Sequence, residues 1–531
     1  MILDLNSLED ASKLSADICI IGAGAAGITL AREFVGSSCR VLLLEGGGLD
    51  AEPESQSLYE SEVIGVPHCG IHTGRARVFG GTTTLWAGQA LRFDANEFRQ
   101  RSWIPYSGWP ISREELEPYY ERAEKVLGLG KRLSYAQLSA LCNVRLPAFD
   151  TAGLSIECSQ WSPWPNLGVK YRRELREADN VSVVVHANAT SLVTNSTATG
   201  VERVEFRSLS GKQGTARARF YVICCGGIET ARLLLVSNRS LPQGLGNRHD
   251  LVGRYFQDHL HIRCGEFCPA DRKQLRDLFE SFFIGRYKYA PKIALTEKIQ
   301  AQRGLASAHA EIIFDAASDS TASAARELYR LARRRRSYNA GDIRRWLGAA
   351  AVEPTEPLRL AYRLYAKRRI PAPRRGAIYL GAQCEAVPNP NSRVTLGESR
   401  DRLNMPRAQL DWQVGEIERR TLNQLVGLIA TDFERLKLGC FDTRQIDALK
   451  DADNWRTMIS DSFHHMGTTR MHADPKLGVV NCNCQVHDVS NLYIGSCSVF
   501  PTSARSNPTL TALGLCLRIA DRLKALLPAG E

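Results

Sequence analysis

One passage near the start of the chain restricts the fold more than any other. The apolar run DICIIG leads into GAGAAG, a segment with helical periodicity follows, and CRVLLLE indicates a second buried strand. Gly22, Gly24 and Gly27 have G-x-G-x-x-G spacing between the first strand and the helix. Such glycines allow a tight turn, a close approach of backbone N–H groups to a pyrophosphate, and tight packing of the helix on the strand. The passage therefore predicts a β-α-β unit that binds a dinucleotide.

Other glycines and one acidic residue narrow the choice of dinucleotide. Glu45 ends the second strand 23 residues after Gly22, where a carboxylate accepts hydrogen bonds from a ribose 2′-hydroxyl. Because an acidic side chain repels a 2′-phosphate, Glu45 argues against NADP. Two further glycine pairs would again place bare backbone beside a large ligand. They are residues 80–81, which precede three threonines, and residues 226–227, which follow the apolar run FYVICC. A single NAD does not need so many glycine-rich passages.

Composition excludes several other classes of protein. Of the 531 residues, 44% are hydrophobic and 24% are charged, which is typical of globular proteins and excludes disordered and collagen-like chains. The longest apolar run, residues 18–31, spans 14 residues and contains glycines, whereas a membrane span needs about 20. The first residues are acidic and lack the pattern of a secretion signal, and the 15 cysteines form no C-x-x-C pair. We therefore expect a cytoplasmic protein.

The positive charge is confined to one segment. Residues 326–375 contain 15 Lys or Arg and 4 Asp or Glu, so this segment accounts for the whole net charge of +11. Its apolar and aromatic residues recur at helical spacing, which indicates basic amphipathic helices. Such helices either pack their apolar side on the protein body or dock on an anionic membrane surface or an acidic partner, which would make the protein peripheral to a membrane. No nucleic-acid recognition motif accompanies the charge, so we expect no nucleic-acid partner.

Seven motifs resemble those of one enzyme family and occur in that family's order. They are GAGAAG with LLLEGGG, GGTTTLWAG at 80–88, CCGGIETARLLL at 224–235, LVGRYFQDH at 251–259, PNPNSRVTL at 388–396, FHHMGTTRM at 463–471 and LYIGSCSVFPTSARSNPTLT at 492–511. On these motifs the chain resembles the glucose-methanol-choline (GMC) flavin oxidoreductases from about residue 16 to about residue 526. Within the family it is most similar to the bacterial sugar dehydrogenases and pyranose oxidases.

The resemblance implies a fold and a division into domains. The expected fold class is α/β, with a doubly wound, Rossmann-like FAD-binding domain and a substrate-binding domain built on an antiparallel β-sheet. Residues 1–92, 181–260 and 455–531 would form the discontinuous FAD-binding domain. Residues 93–180 and 261–454 would form the substrate-binding domain, which includes the basic helical stretch.

The resemblance also assigns residues to the cofactor, which it implies is FAD rather than NAD. The residues expected to bind FAD are Gly22, Gly24, Gly27, Glu45, Gly80, Gly81, Thr82, Thr84, Trp86, Ala189, Gly226, Thr230, Gly495, Ser496, Asn507 and Thr509. Some sugar-oxidising relatives carry a histidine before the tryptophan of this motif and link it covalently to the flavin. Here that position is Leu85, so we expect FAD to be bound non-covalently. The usual Asp near the diphosphate is Ser496, which would make a neutral hydrogen bond.

Oxidation of an alcohol to a carbonyl removes a hydride from carbon and a proton from oxygen, and flavin accepts the hydride. A histidine is suited to accept the proton near neutral pH. His464 occupies the position of the base in the resembled family, and Asn507 occupies the position of its His or Asn partner. His465 is the alternative base, because adjacent residues of a strand point to opposite faces. The histidines lack metal-ligand spacing, so we expect no metal.

The predicted function is therefore FAD-dependent oxidation of a hydroxyl of a sugar or glycoside. Two alternatives stay open: an oxidase or dehydrogenase of a non-sugar alcohol in specialised metabolism, and a non-redox flavin lyase of the same fold. The electron acceptor could be dioxygen, a quinone or a protein.

Overall fold

A computed structural model describes residues 1–315 except Ser12, residues 376–527 except 452–453, and residues 348, 355, 362 and 366–369. The predicted basic helices fall almost entirely outside the described residues. Among the helices that are described, none is both long enough and apolar enough to cross a membrane.

The first sheet contains the predicted β-α-β unit. The strands from its first edge, in spatial order, are Ile2–Asp4, Val181–Val185, Val41–Leu44, Leu14–Ile21, Gln213–Ile223, Val201–Arg207 and Asn188–Thr194, and Leu492–Ile494 also pairs with Gln213–Ile223. The first five and Leu492–Ile494 run parallel to one another, and the last two form an antiparallel extension that begins at Gln213–Ile223. The parallel strands Val41–Leu44 and Val181–Val185 consist mostly of buried Val and Leu, as a sheet covered on both faces requires.

The strand order reverses in the middle of this sheet. Going outward from Leu14–Ile21, the next strands in sequence lie on one side, and Gln213–Ile223 lies on the other. In doubly wound sheets, ligands bind at the carboxyl ends of the strands at such a reversal. The glycine turn at 22–27 and the turn at 224–227 follow these two central strands, so both end at the expected binding crevice.

The second sheet is antiparallel throughout. Its strands in spatial order are Gly439–Phe441, Leu260–Pro269, Ile378–Cys384, Ala308–Phe314, Tyr287–Leu295, Leu154–Trp161 and Gln89–Ala90, with Phe282–Ile284 paired to Tyr287–Leu295 and Ser460–Asp461 paired to Leu260–Pro269. A third, smaller sheet contains Arg393–Arg400, Pro406–Asp411 and Glu62–Val63. The domain limits given above stay a prediction.

Helices cover these sheets. The α-helices are Ala25–Arg32, Pro53–Ser57, Gly70–Thr73, Ala95–Phe98, Glu117–Leu127, Tyr135–Leu141, Leu167–Glu177, Gly226–Val236, Arg272–Phe279, Glu297–Arg303, Glu416–Arg435, Thr443–Ala448 and Thr509–Leu526. Short 3₁₀ helices are Leu5–Ser7, Gly81–Thr84, Trp455–Met458 and Cys497–Val499. The long C-terminal helix packs on Ala25–Arg32 and Glu117–Leu127, and this contact brings the two ends of the chain together.

One histidine connects the N-terminal strand, through hydrogen bonds, to the loop that follows Val41–Leu44. His186 Nδ1 lies 2.9 Å from Asp4 Oδ1, and its Nε2 lies 2.9 Å from Glu52 Oε1. Carboxylates only accept hydrogen bonds, so both ring nitrogens donate and the ring is an imidazolium. Partial burial opposes this charge, but the two carboxylates raise the pKa of His186 above its ordinary value.

Candidate active site

A cavity of about 650 Å³ lies where the first sheet reverses. Its wall includes Glu45 and Ala189 from the nucleotide side and His464 and Asn507 from the C-terminal motifs. The volume is typical of a ligand site. One continuous space therefore joins the expected dinucleotide site to the expected catalytic pair.

The glycines of the first turn have different roles. Gly22 has a φ of +101°, and a Cβ there would lie 2.8 Å from the Cys224 carbonyl oxygen. A Cβ on Gly27 would lie 1.9 Å from the Gly22 carbonyl oxygen, so this glycine lets the helix pack on the strand. In contrast, a Cβ on Gly24 would meet nothing closer than 4.0 Å, and one on Gly226 would meet nothing within 4 Å. Gly24 and Gly226 therefore present bare backbone to the cavity.

The Glu45 carboxylate is buried in the cavity wall beside this turn. Its Oε2 accepts the Ala23 N–H at 2.9 Å, and its Oε1 accepts the Gly47 N–H at 2.9 Å. Burial raises the pKa of Glu45, although these two hydrogen bonds and the nearby Arg77 oppose the rise. Arg77 donates from Nε to Asn188 Oδ1 at 2.9 Å. A carboxylate, a guanidinium and an amide thus lie together where ribose hydroxyls would bind.

Most residues expected to bind FAD line the cavity. They are Gly22, Gly24, Glu45, Gly81, Thr82, Trp86, Ala189, Gly226, Ser496, Asn507 and Thr509. The bare backbone of the two glycine turns and the buried carboxylate fit a dinucleotide, and Leu85, also in the wall, offers no nucleophile for a covalent link.

The other expected FAD residues, Gly27 among them, lie behind the cavity wall. Gly80 has a φ of +103°, which a turn requires and which other residues rarely adopt. The Thr84 hydroxyl donates to the carbonyl of Gly81 at 2.9 Å. The Thr230 hydroxyl is buried and has no hydrogen-bond partner among the described residues. A Cβ on Gly495 would lie 3.0 Å from a cysteine Sγ. Gly27, Gly80, Thr84, Thr230 and Gly495 are therefore not among the residues that line the cavity, and their contact with FAD stays a prediction.

The hydrogen bonds around His464 fix which of its nitrogens carries the proton. His259 Nε2 lies 3.1 Å from the Ser503 carbonyl oxygen and 2.8 Å from that of Ala504, so Nε2 donates. Burial lowers the pKa of His259, so its ring is neutral and its Nδ1 is an acceptor. Because His464 Nδ1 lies 2.8 Å from that atom, it is the donor. The remaining nitrogen of His464, Nε2, therefore carries a lone pair.

Asn507 lies next to that lone pair. Its Nδ2 is 3.2 Å from His464 Nε2, and both side chains line the cavity. Desolvation by the surrounding protein, with a smaller effect of His259, lowers the pKa of His464 to about 3. His464 is thus neutral at physiological pH, with its acceptor atom beside an amide donor.

A buried carboxylate holds the backbone of the same loop. Asp258 Oδ1 accepts the His464 N–H at 2.9 Å, and its Oδ2 lies 3.0 Å from His68 Nε2. Burial by itself would raise the pKa of Asp258, but the hydrogen bond from His68 and the neighbouring histidines lower it below its ordinary value. His465 points toward this pair, with Nε2 3.8 Å from Asp258 Oδ2. The segment is irregular, yet the adjacent histidines still point in different directions, and only His464 contacts Asn507.

His68, Asp258 and His465 also form a cluster of potential metal ligands, with donor atoms within 4.8 Å of one another. The His68 Nδ1 atom accepts the Ile71 N–H at 3.1 Å, so its Nε2 donates to Asp258. This hydrogen bond uses two of the atoms that a metal would need.

Sequence reasoning missed the roles of His259 and Asp258. Both lie in the motif LVGRYFQDH, which carries the family resemblance. The sequence signal that could have pointed to these roles is the adjacent acid and histidine at the end of this motif. Their contacts to His464 span about two hundred residues of sequence, so spacing did not show them.

The chain is similar to known oxidoreductases. A family model described as GMC oxidoreductase matches residues 388–516, and one described as FAD dependent oxidoreductase matches residues 17–253. The 2-methyl-1,2-propanediol dehydrogenase of Mycolicibacterium austroafricanum is 24% identical over 95% of this chain and 94% of its own. The fructose dehydrogenase large subunit of Gluconobacter japonicus is 24% identical over 96% of this chain and 98% of its own.

A solved structure supports the fold. An FAD-dependent oxidoreductase from Chaetomium thermophilum has a TM-score of 0.59 and 17% identity, covering 96% of this chain and 99% of its own. The predicted fold class, a doubly wound FAD-binding domain joined to a domain built on an antiparallel sheet, is confirmed. The two family models, the full-length relatives and the fold together show that the chain belongs to the glucose-methanol-choline family of FAD-dependent oxidoreductases.

Proposed function

We propose that this enzyme oxidises a hydroxyl of a sugar or glycoside to a carbonyl, with His464 as the general base. The observation that carries the proposal is the His464 Nε2 lone pair, fixed by His259 and set beside Asn507 in the wall of the cavity. The fructose dehydrogenase relative supports a sugar as the substrate class.

FAD, held non-covalently in the cavity by the cofactor residues named above, supplies a hydride acceptor when bound. Gly24 and Gly226 have no side chains, so the pyrophosphate of FAD would have room to approach the backbone there. Glu45 would accept hydrogen bonds from the ribose hydroxyls. Leu85, which is 44% exposed, offers an apolar surface.

His464 accepts the hydroxyl proton at Nε2. Because its pKa is low, it is unprotonated at neutral pH and available for the transfer. General-base catalysis of this kind contributes about 10²–10⁴-fold to rate. The imidazolium formed keeps its hydrogen bond from Nδ1 to His259, and the buried Asp258 charge stabilises it.

Asn507 orients the substrate oxygen. In the structure its Nδ2 lies 3.2 Å from His464 Nε2 and donates to it. A substrate hydroxyl that takes the place of this contact would give its proton to Nε2 and accept a hydrogen bond from Nδ2 as negative charge develops on its oxygen. Removal of one such donor costs about 10²–10³-fold in other enzymes.

The test is anaerobic reduction of the purified protein by a panel of hexoses, glycosides and simple alcohols, followed through loss of the flavin absorbance. Reoxidation by air, a quinone and a protein acceptor then identifies the electron acceptor. Bleaching by a sugar supports the proposal, whereas conversion of a substrate without bleaching would show a lyase. Acid precipitation that leaves the flavin in the supernatant supports non-covalent binding.

His464→Ala should keep the yellow flavin but bleach at least about 10²-fold more slowly. His487→Ala is the matched control, because His487 donates to the His472 carbonyl at 3.0 Å outside the cavity wall. An unchanged bleaching rate in His464→Ala would remove His464 from the mechanism.

A further inference from the structure

The two faces of the antiparallel sheet differ in character. Strand register places Glu157 opposite Lys292, and His309 opposite both Ala294 and Gln383. Since residues directly opposite each other share a face and alternate residues return to it, one face carries a continuous row across five strands. We name this row the polar face; it consists of Glu157, Lys292, Glu311, His309, Gln383 and His261.

The other face of the same strands is apolar. Ile293, Ile312 and Leu380 lie there and are buried in the hydrophobic core. That face accounts for the packing of the sheet. A well-packed apolar residue is often as stabilising as a buried ion pair, so stability does not require charges on the opposite face.

The polar face holds an ion pair whose carboxylate is partly exposed. The Lys292 side chain is 6% exposed, and its Nζ lies 2.6 Å from Glu311 Oε2, whereas the Glu311 side chain is 38% exposed. Next to them, His309 is buried and its Nδ1 has no hydrogen-bond partner among the described residues. The face therefore offers a cation, a carboxylate and an unpaired nitrogen side by side.

The polar face adjoins the catalytic site at two points. Gln383 Nε2 donates to the Arg505 carbonyl at 2.8 Å and lies 3.3 Å from His259 Nδ1, the atom that holds His464. At the other side, Gln89 lines the cavity and donates to Ser159 Oγ at 2.9 Å. Because Ser159 follows Glu157 by two residues on one strand, it shares the polar face.

We propose that the polar face, through Lys292 and Glu311, binds the non-reacting hydroxyls of a polyhydroxylated substrate and determines specificity for it. This inference rests on the proposed function. Each sugar hydroxyl is both a donor and an acceptor, so it can bind a carboxylate oxygen and an ammonium group that already face each other. An alcohol with one hydroxyl and an apolar body would bury these groups without replacing their water, which is costly.

The experiment measures anaerobic flavin bleaching at increasing concentrations of hexoses and methyl glycosides, and of 2-propanol and benzyl alcohol. In Lys292→Met, the concentration of sugar giving half-maximal rate should rise about 10- to 100-fold, the loss expected for a hydrogen bond to a charged group. The limiting rate should change little, because the proposal places neither Lys292 Nζ nor the Glu311 carboxylate against the reacting carbon. Half-maximal concentrations for the monohydric alcohols should change less than about 3-fold.

Two controls separate folding from recognition. Glu311→Gln keeps the shape of the side chain while removing its charge. Like Lys292→Met, it should raise the half-maximal concentration of sugars much more than that of monohydric alcohols. Lys273→Met removes a lysine from an exposed pair, Lys273 with Asp277 at 3.3 Å, and should change neither class. Flavin absorbance and thermal unfolding confirm that each variant is folded.

The inference is overturned if both variants lose sugars and monohydric alcohols equally, if neither changes the sugar dependence, or if the unaltered enzyme uses the two classes equally well. If no alcohol of any class bleaches the flavin, the proposed function itself fails, which is a distinct result.

Discussion

Substitution of His259 tests how the base is prepared. His259→Gln keeps a donor near the Ser503 and Ala504 carbonyls but no longer places an acceptor toward His464 Nδ1. His259→Asn does the reverse, because its shorter side chain places an oxygen near the position of Nδ1. A buried hydrogen bond left unmade costs about 1–3 kcal/mol, and each 1.36 kcal/mol is tenfold, so His259→Gln should slow flavin bleaching about 5- to 150-fold. His259→Asn should slow flavin bleaching by a smaller factor.

Stopped-flow bleaching at saturating substrate measures this step directly, and the flavin spectrum shows whether the cofactor is retained. His487→Ala again serves as the control for a histidine bound to a backbone carbonyl elsewhere. Equal rates in the two His259 variants, or a faster rate in His259→Gln than in His259→Asn, would refute the assignment of the proton to His464 Nδ1.

Three further outcomes are expected. Gly27→Ala should lower the melting temperature of the flavin-free protein, with about 1–3 kcal/mol lost to overpacking against the Gly22 carbonyl, whereas Gly24→Ala should keep that melting temperature and lower the flavin content; similar effects in both would contradict their separate roles. Because the pKa of His464 is lowered to about 3, bleaching should stay constant from pH 8 to about pH 5, and a decline centred on pH 6.5 would be inconsistent with it. The pKa of His186 is raised, so its stabilisation is complete below pH 6.5 and is lost as pH rises through the folded-state value; His186→Asn, which tolerates the positive φ of 58°, should cost about 1 kcal/mol at pH 6 and less at pH 9, as chemical denaturation will show.

The sequence predicted the features that depend on neighbouring residues. The turn at Gly22 and the carboxylate of Glu45 belong to one β-α-β unit, so local pattern and spacing were sufficient. His464 and Asn507 came from family motifs. Gly80 and Gly495 lie outside the cavity wall because of the direction in which their turns face. The spacing of residues in the sequence does not contain that information.

Contacts between distant segments were not predictable from pattern. His259 meets His464 across 205 residues. The polar face exists only because strand register aligns Lys292 with Glu311 and His309 with Gln383. A shift of one residue in either register would move these side chains to the opposite face.

The cavity wall has a consequence for biosynthesis. It draws on residues as early as Gly22 and as late as Leu513. A ribosome has to translate through Leu513 before every part of the wall exists, so a nascent chain that has not reached Leu513 lacks part of the site. A shorter nascent chain therefore presents an incomplete crevice to cellular proteases and chaperones.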